Sequence, residues 1–87
     1  MNKLKTLLEE LERAEIESNE ASEAWGEEPE NRDLETLFDE SYKRECDLFN
    51  QCVDELQNLI KINKFTAQLM VKTKRAEIQE LIAKAEG

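Results

Sequence analysis

Residues 61–75 read KINKFTAQLMVKTKR, and how this stretch folds decides the architecture. No Gly or Pro separates residues 30 and 86. Tyr42, Cys46, Phe49, Val53, Leu56, Ile60, Asn63, Ala67, Met70 and Lys74 follow one another at alternating spacings of three and four. One reading is therefore a helical hairpin with a single very long second helix, paired as a coiled-coil dimer with Asn63 as a polar core position. The other is a turn at KIN, with Asn63 as the N-cap of a third helix. Two features favour the turn. Ile62, Phe65, Leu69 and Ala76 lie on the opposite side of the helical wheel from Ala67, Val71, Ile78, Leu81, Ile82 and Ala85, so one straight helix would expose one of the sets. Helices over about residues 3–25, 29–61 and 64–86 can also cover one another in a bundle.

The same stretch gathers five positive charges and no acid in a chain of net charge −9. Residues 1–60 carry 6 basic and 18 acidic side chains, and residues 61–87 carry 6 and 3. The basic segment is expected to neutralise the acidic helices, within one chain or across a dimer, and to help set their orientation.

Working outward, Leu4, Leu7, Leu11, Ala14, Ser18, Ala21 and Trp25 make one narrow seam on the first helix, widened by Leu8. The seam residues shrink towards Ala14, Ser18 and Ala21, where a neighbouring helix is expected to come close. Asn2 suits the N-cap, and Gly26 suits the residue just past the C-terminus. The linker GEEP places Pro29 in the first turn of the next helix and makes helices 1 and 2 antiparallel neighbours. On helix 2, Leu34, Leu37, Phe38, Tyr42, Cys46, Leu48, Phe49, Cys52, Val53, Leu56, Leu59 and Ile60 span roughly half the circumference, which makes it the central helix. Glu45 falls inside that stripe. A lone buried carboxylate is costly, so it is expected to bond Ser18, Trp25 Nε1–H, Tyr42 or a cation of helix 3.

The segments EEPENRDLETLFDESYKRECDLFNQCV and INKFTAQLMVKTKRAEIQELIAK resemble a type of small helical protein found in Gram-positive bacteria and their mobile elements. The resemblance rests on Glu28, Pro29, Glu30, Asn31, Phe38, Asp39, Glu40 and Tyr42, then on Ile62, Asn63, Thr66, Ala67, Met70, Val71, Thr73, Lys74, Arg75, Glu77 and Ile78. It covers about two-thirds of the chain through motifs of low specificity. The type more often carries a Gly in the turn before the third helix, which this chain lacks. The resemblance implies an N-cap at Asn63 and no activity.

Most chemistry is disfavoured. There is no His, no Gly-rich phosphate loop and no nucleophile beside a base. Cys46 and Cys52, six residues apart on one helix and so about 9 Å along its axis, suit neither a disulfide nor a shared metal, and both read as buried hydrophobes. Acids such as Glu10, Glu17 and Glu20 read as a solvated face. Direct contact with nucleic acid through Lys61, Lys64, Lys72, Lys74, Arg75 and Phe65 is opposed by the overall charge. No apolar run approaches a membrane span, and the N-terminus has no apolar signal region, so the expected compartment is cytoplasmic.

The expectation is thus a single all-α domain over residues 1–87, an antiparallel three-helix bundle with no catalytic residue, cofactor or metal. Its expected function is non-enzymatic protein–protein interaction, with a protein partner or a second copy as a homodimer. The candidate contact patch is Ile62, Phe65, Leu69 and Lys72, with Glu45 and Ser18 as the candidate buried polar pair. The competing expectation is an acidic, nucleic-acid-mimicking inhibitor or antitoxin-like binder of a basic partner.

Overall fold

The computed structural model describes residues 3–86, and among these the fold is all-α. Four helices follow in order: α1 Lys3–Glu27, α2 Arg32–Leu59, α3 Lys64–Thr73 and α4 Arg75–Glu86. Helices α1 and α2 form the antiparallel hairpin that the short linker dictates. Contacts then pass from α2 to α3, from α3 to α4, and from α4 back to α1.

The chain turns at KIN. Asn63 has extended backbone angles and its side chain accepts from the Thr66 amide at 2.7 Å, while its carbonyl accepts from Ala67 at 3.0 Å. Gln57 Nε2 donates to the Ile62 carbonyl at 3.4 Å, tying the connection to the end of α2. The third helix does not run unbroken to Glu86. It stops at Thr73, Lys74 takes φ −126° and ψ 43°, and α4 starts at Arg75.

Two details of the first turn differ from expectation. Gly26 lies inside α1 and no residue has positive φ among those described. The Glu28 amide still reaches the Ala24 and Trp25 carbonyls, so the helix end closes without a left-handed residue. Pro29 is not in the first turn of α2. It sits second in a turn closed by the Asn31 amide on the Glu28 carbonyl (3.0 Å), where its fixed φ suits the bend. Asn31 is the N-cap, accepting from the Asp33 and Leu34 amides, and Asp33 and Glu35 complement the helix dipole. The Asn2 cap lies outside the described residues.

One core forms at one end of the molecule. Leu4, Leu7, Leu8, Leu11 and Ala14 of α1 meet Leu48, Cys52, Val53 and Leu56 of α2, Ala67 and Val71 of α3, and Ile78 and Ile82 of α4. Leu8, which only widened the seam in sequence, is buried. We call this four-helix end the head. The rest of the hairpin, roughly residues 15–45, is an arm of two helices whose seam is filled by the small Ser18, Ala21 and Ser41.

Two outcomes test this description. Asn63→Ala is expected to lower stability by about 1 kcal/mol in urea denaturation, the usual cost of losing a helix N-cap. Burial pushes the Cys52 thiol up to about 11. The fold therefore favours the neutral thiol, and this stabilisation is full below about pH 9 and fades as pH rises towards 11. Cys52→Ala should lose less stability than wild type across that window.

Candidate interaction surface

The surface is shaped by the break at Lys74, and the break is organised by Arg75. In a continuous helix the Arg75 amide would bond the Val71 carbonyl. Here the Arg75 side chain supplies that donor through Nε at 2.8 Å. The guanidinium end then forks onto Glu15 of α1, with Nη1 to Oε1 at 2.5 Å and Nη2 to Oε2 at 2.8 Å. The bond to Glu15, more than any other influence, holds the Arg75 pKa above its ordinary value. Just before the break, Thr73 Oγ1 donates to the Leu69 carbonyl at 2.8 Å, a local bond of the kind that bends helices.

Because α4 leaves the line of α3 and packs on α1, the face of α2 beyond Phe49 has no third helix over it. Phe38, Tyr42, Cys46 and Phe49 share that face at spacings of three and four. Trp25 stacks on Phe38 with ring centroids 5.7 Å apart, and Phe38 on Tyr42 at 5.9 Å. A cavity of about 360 Å³ opens over Tyr42, Cys46 and Phe49, walled by Glu15 and Arg75. A second, of about 220 Å³, lies between Phe49, Phe65, Leu69 and Lys72. Phe49 and Lys72 border both, so the two form one groove along α2. The Lys72 ammonium lies 5.8 Å from the centre of the Phe49 ring.

The sequence-derived patch is divided by the structure. Phe65 is 74% exposed and Leu69 46%, and Lys72 lies beside them. Ile62 is half-buried and packs on the core instead. The buried polar pair does meet, with Ser18 Oγ donating to Glu45 Oε2 at 2.7 Å. Ser18 is buried and Glu45 half-buried, and the same hydroxyl lies 3.1 Å from the Glu15 carbonyl. Trp25 does not serve Glu45; its Nε1–H donates to the Pro29 carbonyl at 3.2 Å. Cys46 is half-buried in the groove wall, unlike the enclosed Cys52, and both are free thiols. The Cys46 thiol is the main reason the neighbouring Tyr42 phenol titrates above its ordinary value. The sequence reading missed Tyr42 as a surface residue, because its spacing is that of a core stripe.

The charge split also takes a different form. Between Glu15 and Glu45 stand twelve acidic and three basic side chains, whereas the remaining residues carry nine of each. The arm thus holds the whole net charge of −9, and the rest of the chain balances. Of the five cations in residues 61–75, Arg75 pairs with an acid of α1. Among the described residues Lys61, Lys64, Lys72 and Lys74 make no ion pair, so the expected neutralisation of α1 and α2 by the start of α3 comes down to Arg75. Lys3–Glu55 and Arg44–Glu17 also pair α1 with α2. No group of three Cys, Asp or Glu converges as a metal site among the described residues, and none of their helices is long and apolar enough to cross a membrane.

Compared with protein-family models, curated proteins and solved structures, the chain matches none.

Arg75→Ala is expected to cost about 1–3 kcal/mol, since it strips a fork of two charge-assisted bonds and the Val71 carbonyl's donor from a half-exposed site. Glu45→Ala is expected to cost less than about 1 kcal/mol, because Ser18 keeps the Glu15 carbonyl. Urea denaturation of both variants checks the order, and a larger loss for Glu45→Ala contradicts it.

Proposed function

We propose that this chain is a non-enzymatic protein–protein interaction module, a small accessory or regulatory protein that acts by contact alone. The observation that carries this reading is the uncovered apolar surface, with Phe65 74% and Leu69 46% exposed beside the aromatic groove on α2. Large side chains of this kind, contiguous and rimmed by polar groups, mark interfaces. The resemblance to small helical proteins of Gram-positive bacteria and their mobile elements fits an accessory role. A second copy of the chain is one partner that the same patch would accept.

A second reading has its own observation. An arm that carries the whole charge of −9 on two helices is suited to occupy a basic, nucleic-acid-binding surface of another protein, as an inhibitor or antitoxin-like decoy would.

The test uses tagged wild type, Phe65→Glu and the control Ile16→Glu, an exposed apolar residue of α1, as baits in extracts of the source cell, with light scattering on each. Phe65 and Ile16 are both exposed, so neither change disturbs the core. The interaction reading predicts a partner, or a dimer, that persists in Ile16→Glu and falls at least about ten-fold in Phe65→Glu. Equal recovery by all three with no self-association contradicts it. Recovery that ignores Phe65→Glu but disappears at about 0.5 M salt supports the acidic decoy.

A further inference from the structure

We infer that the fork of Arg75 on Glu15 is a latch between two seats for α4. Closed, it holds α4 on the leucines of α1. Opened, it lets α3 and α4 join into one straight helix whose isoleucines lie on the aromatic face of α2. This goes beyond the interaction reading and does not rest on it.

The chain is built to fit both seats. Ala67, Val71, Ile78 and Ile82 fall on one side of a continuous helix, since steps of four and eleven residues close to within about 40°. In the closed form Ile78 and Ile82 are buried in the head. The second seat lies on the line of α3. Phe65 and Leu69 stand beside Phe49, and Lys72 and Arg75 beside Phe49, Cys46 and Tyr42, so α3 follows α2 turn by turn towards the arm. Carried straight on, it would set Ile78 level with Tyr42 and Ile82 level with Phe38. Tyr42 is exposed, Phe38 and Cys46 are half-buried, and in the closed form no third helix lies over them.

The backbone is what the latch works against. Bonding across the break skips from the Lys74 amide on the Met70 carbonyl (2.8 Å) to the Ile78 amide on the Lys74 carbonyl (3.2 Å). A straight helix would add bonds from the Arg75, Ala76 and Glu77 amides to the Val71, Lys72 and Thr73 carbonyls. The residues from Val71 to Ile82 contain no Gly or Pro to prevent it. Arg75 opposes straightening twice, by giving Nε to the Val71 carbonyl and both Nη atoms to Glu15. The isoleucines are buried in either seat. The two forms therefore differ mainly in which apolar surface is left uncovered, the leucines of α1 or the aromatic face of α2. One bidentate pair at a half-exposed site is enough to choose between packings so closely matched.

The test is Arg75→Met, which removes every side-chain donor and keeps an unbranched, helix-forming residue. The full chain, methyl-labelled at Ile and Leu, is followed by nuclear magnetic resonance, with light scattering alongside. Two readouts separate the seats. One is whether the Ile78 and Ile82 methyls contact the leucines of α1 or the Phe38 and Tyr42 rings. The other is hydrogen exchange at the Ala76 and Glu77 amides, which gain their helical bonds only in the open form. Glu15→Gln is the milder variant, since Arg75 keeps its bond to Val71. Tyr42→Glu, added to Arg75→Met, puts a charge in the second seat without touching the head, because Tyr42 is exposed.

Wild type is expected closed. Arg75→Met is expected to move the isoleucine contacts to the rings, to show helical shifts unbroken through Lys74, and to slow exchange at Ala76 and Glu77 at least about ten-fold. Glu15→Gln is expected to move the same signals part of the way, and Tyr42→Glu to reverse them. Isoleucine contacts that stay on the leucines in Arg75→Met mean that packing of the head, not the latch, places α4, and they overturn the inference. Loss of helical shifts over residues 75–86 leaves no second seat and overturns it as well. Slow exchange that Tyr42→Glu leaves unchanged shows a straight helix not seated on α2, with the same consequence. Ring contacts found only in a dimer put the straight helix on a second copy and overturn the seat within the chain. If Arg75→Met does not fold, Glu15→Gln decides, and unchanged contacts and exchange there overturn the latch. Phe65 precedes the break, so none of these outcomes bears on the interaction reading.

Discussion

The structure depends on the way Arg75 spends its three donor nitrogens. One takes the Val71 carbonyl that the helix would otherwise have bonded through its backbone, and two clamp Glu15 on the first helix. A helix broken in mid-run leaves unsatisfied carbonyls and amides, which is why such breaks are rare without Gly or Pro. Here one of the freed carbonyls is satisfied by the same side chain that fastens the new helix to α1. The pair is half-exposed, so its net worth is modest, but its geometry is bidentate and specific. It directs the chain more than it stabilises it.

The rest of the layout follows from that direction. Sending α4 onto α1 gives the head a fourth wall, and Leu4, Leu7, Leu8 and Leu11 are all buried as a result. The arm is left with two helices, held by a seam of small residues and by Ser18 on Glu45. Trp25, Phe38 and Tyr42 stack on one another along it, with no third helix over them. A head of zero net charge and an arm of −9 then divide the labour between stability and surface. This division underlies the interaction function proposed above.

Much of this was legible in the sequence, and the parts that were not have definable causes. The Asn63 cap and the hairpin could be read because capping and short linkers are local physics. The contact of Ser18 with Glu45 could be anticipated because a carboxylate in an apolar stripe needs a donor. The break at Lys74 could not. Val71, Ile78 and Ile82 stay in phase across it, so periodicity reads straight through, and the device responsible is a pair of side-chain bonds, one of them to a residue sixty positions away. One faint signal existed. Leu7 and Leu8 together make the first half of α1 apolar on two sides, whereas the second half offers only Ala14, Ser18 and Ala21, and a wider stripe calls for more partners. The groove was missed for the same reason: Phe38, Tyr42, Cys46 and Phe49 look like core until the helix that would cover them turns away. Gly26 and Pro29 misled because the turn is closed by Asn31 and by the Trp25 indole, not by a left-handed glycine.

The most direct test of this account is where the methyl groups of Ile78 and Ile82 lie. Methyl-labelled protein in solution should show nuclear Overhauser contacts from both isoleucines to core residues of the head, including the leucines in the first half of α1. The Phe38 and Tyr42 rings should show none to either. Contacts from Ile78 or Ile82 to those rings, with helical shifts unbroken through Lys74, would mean a straight third helix that covers the groove, and would contradict the account.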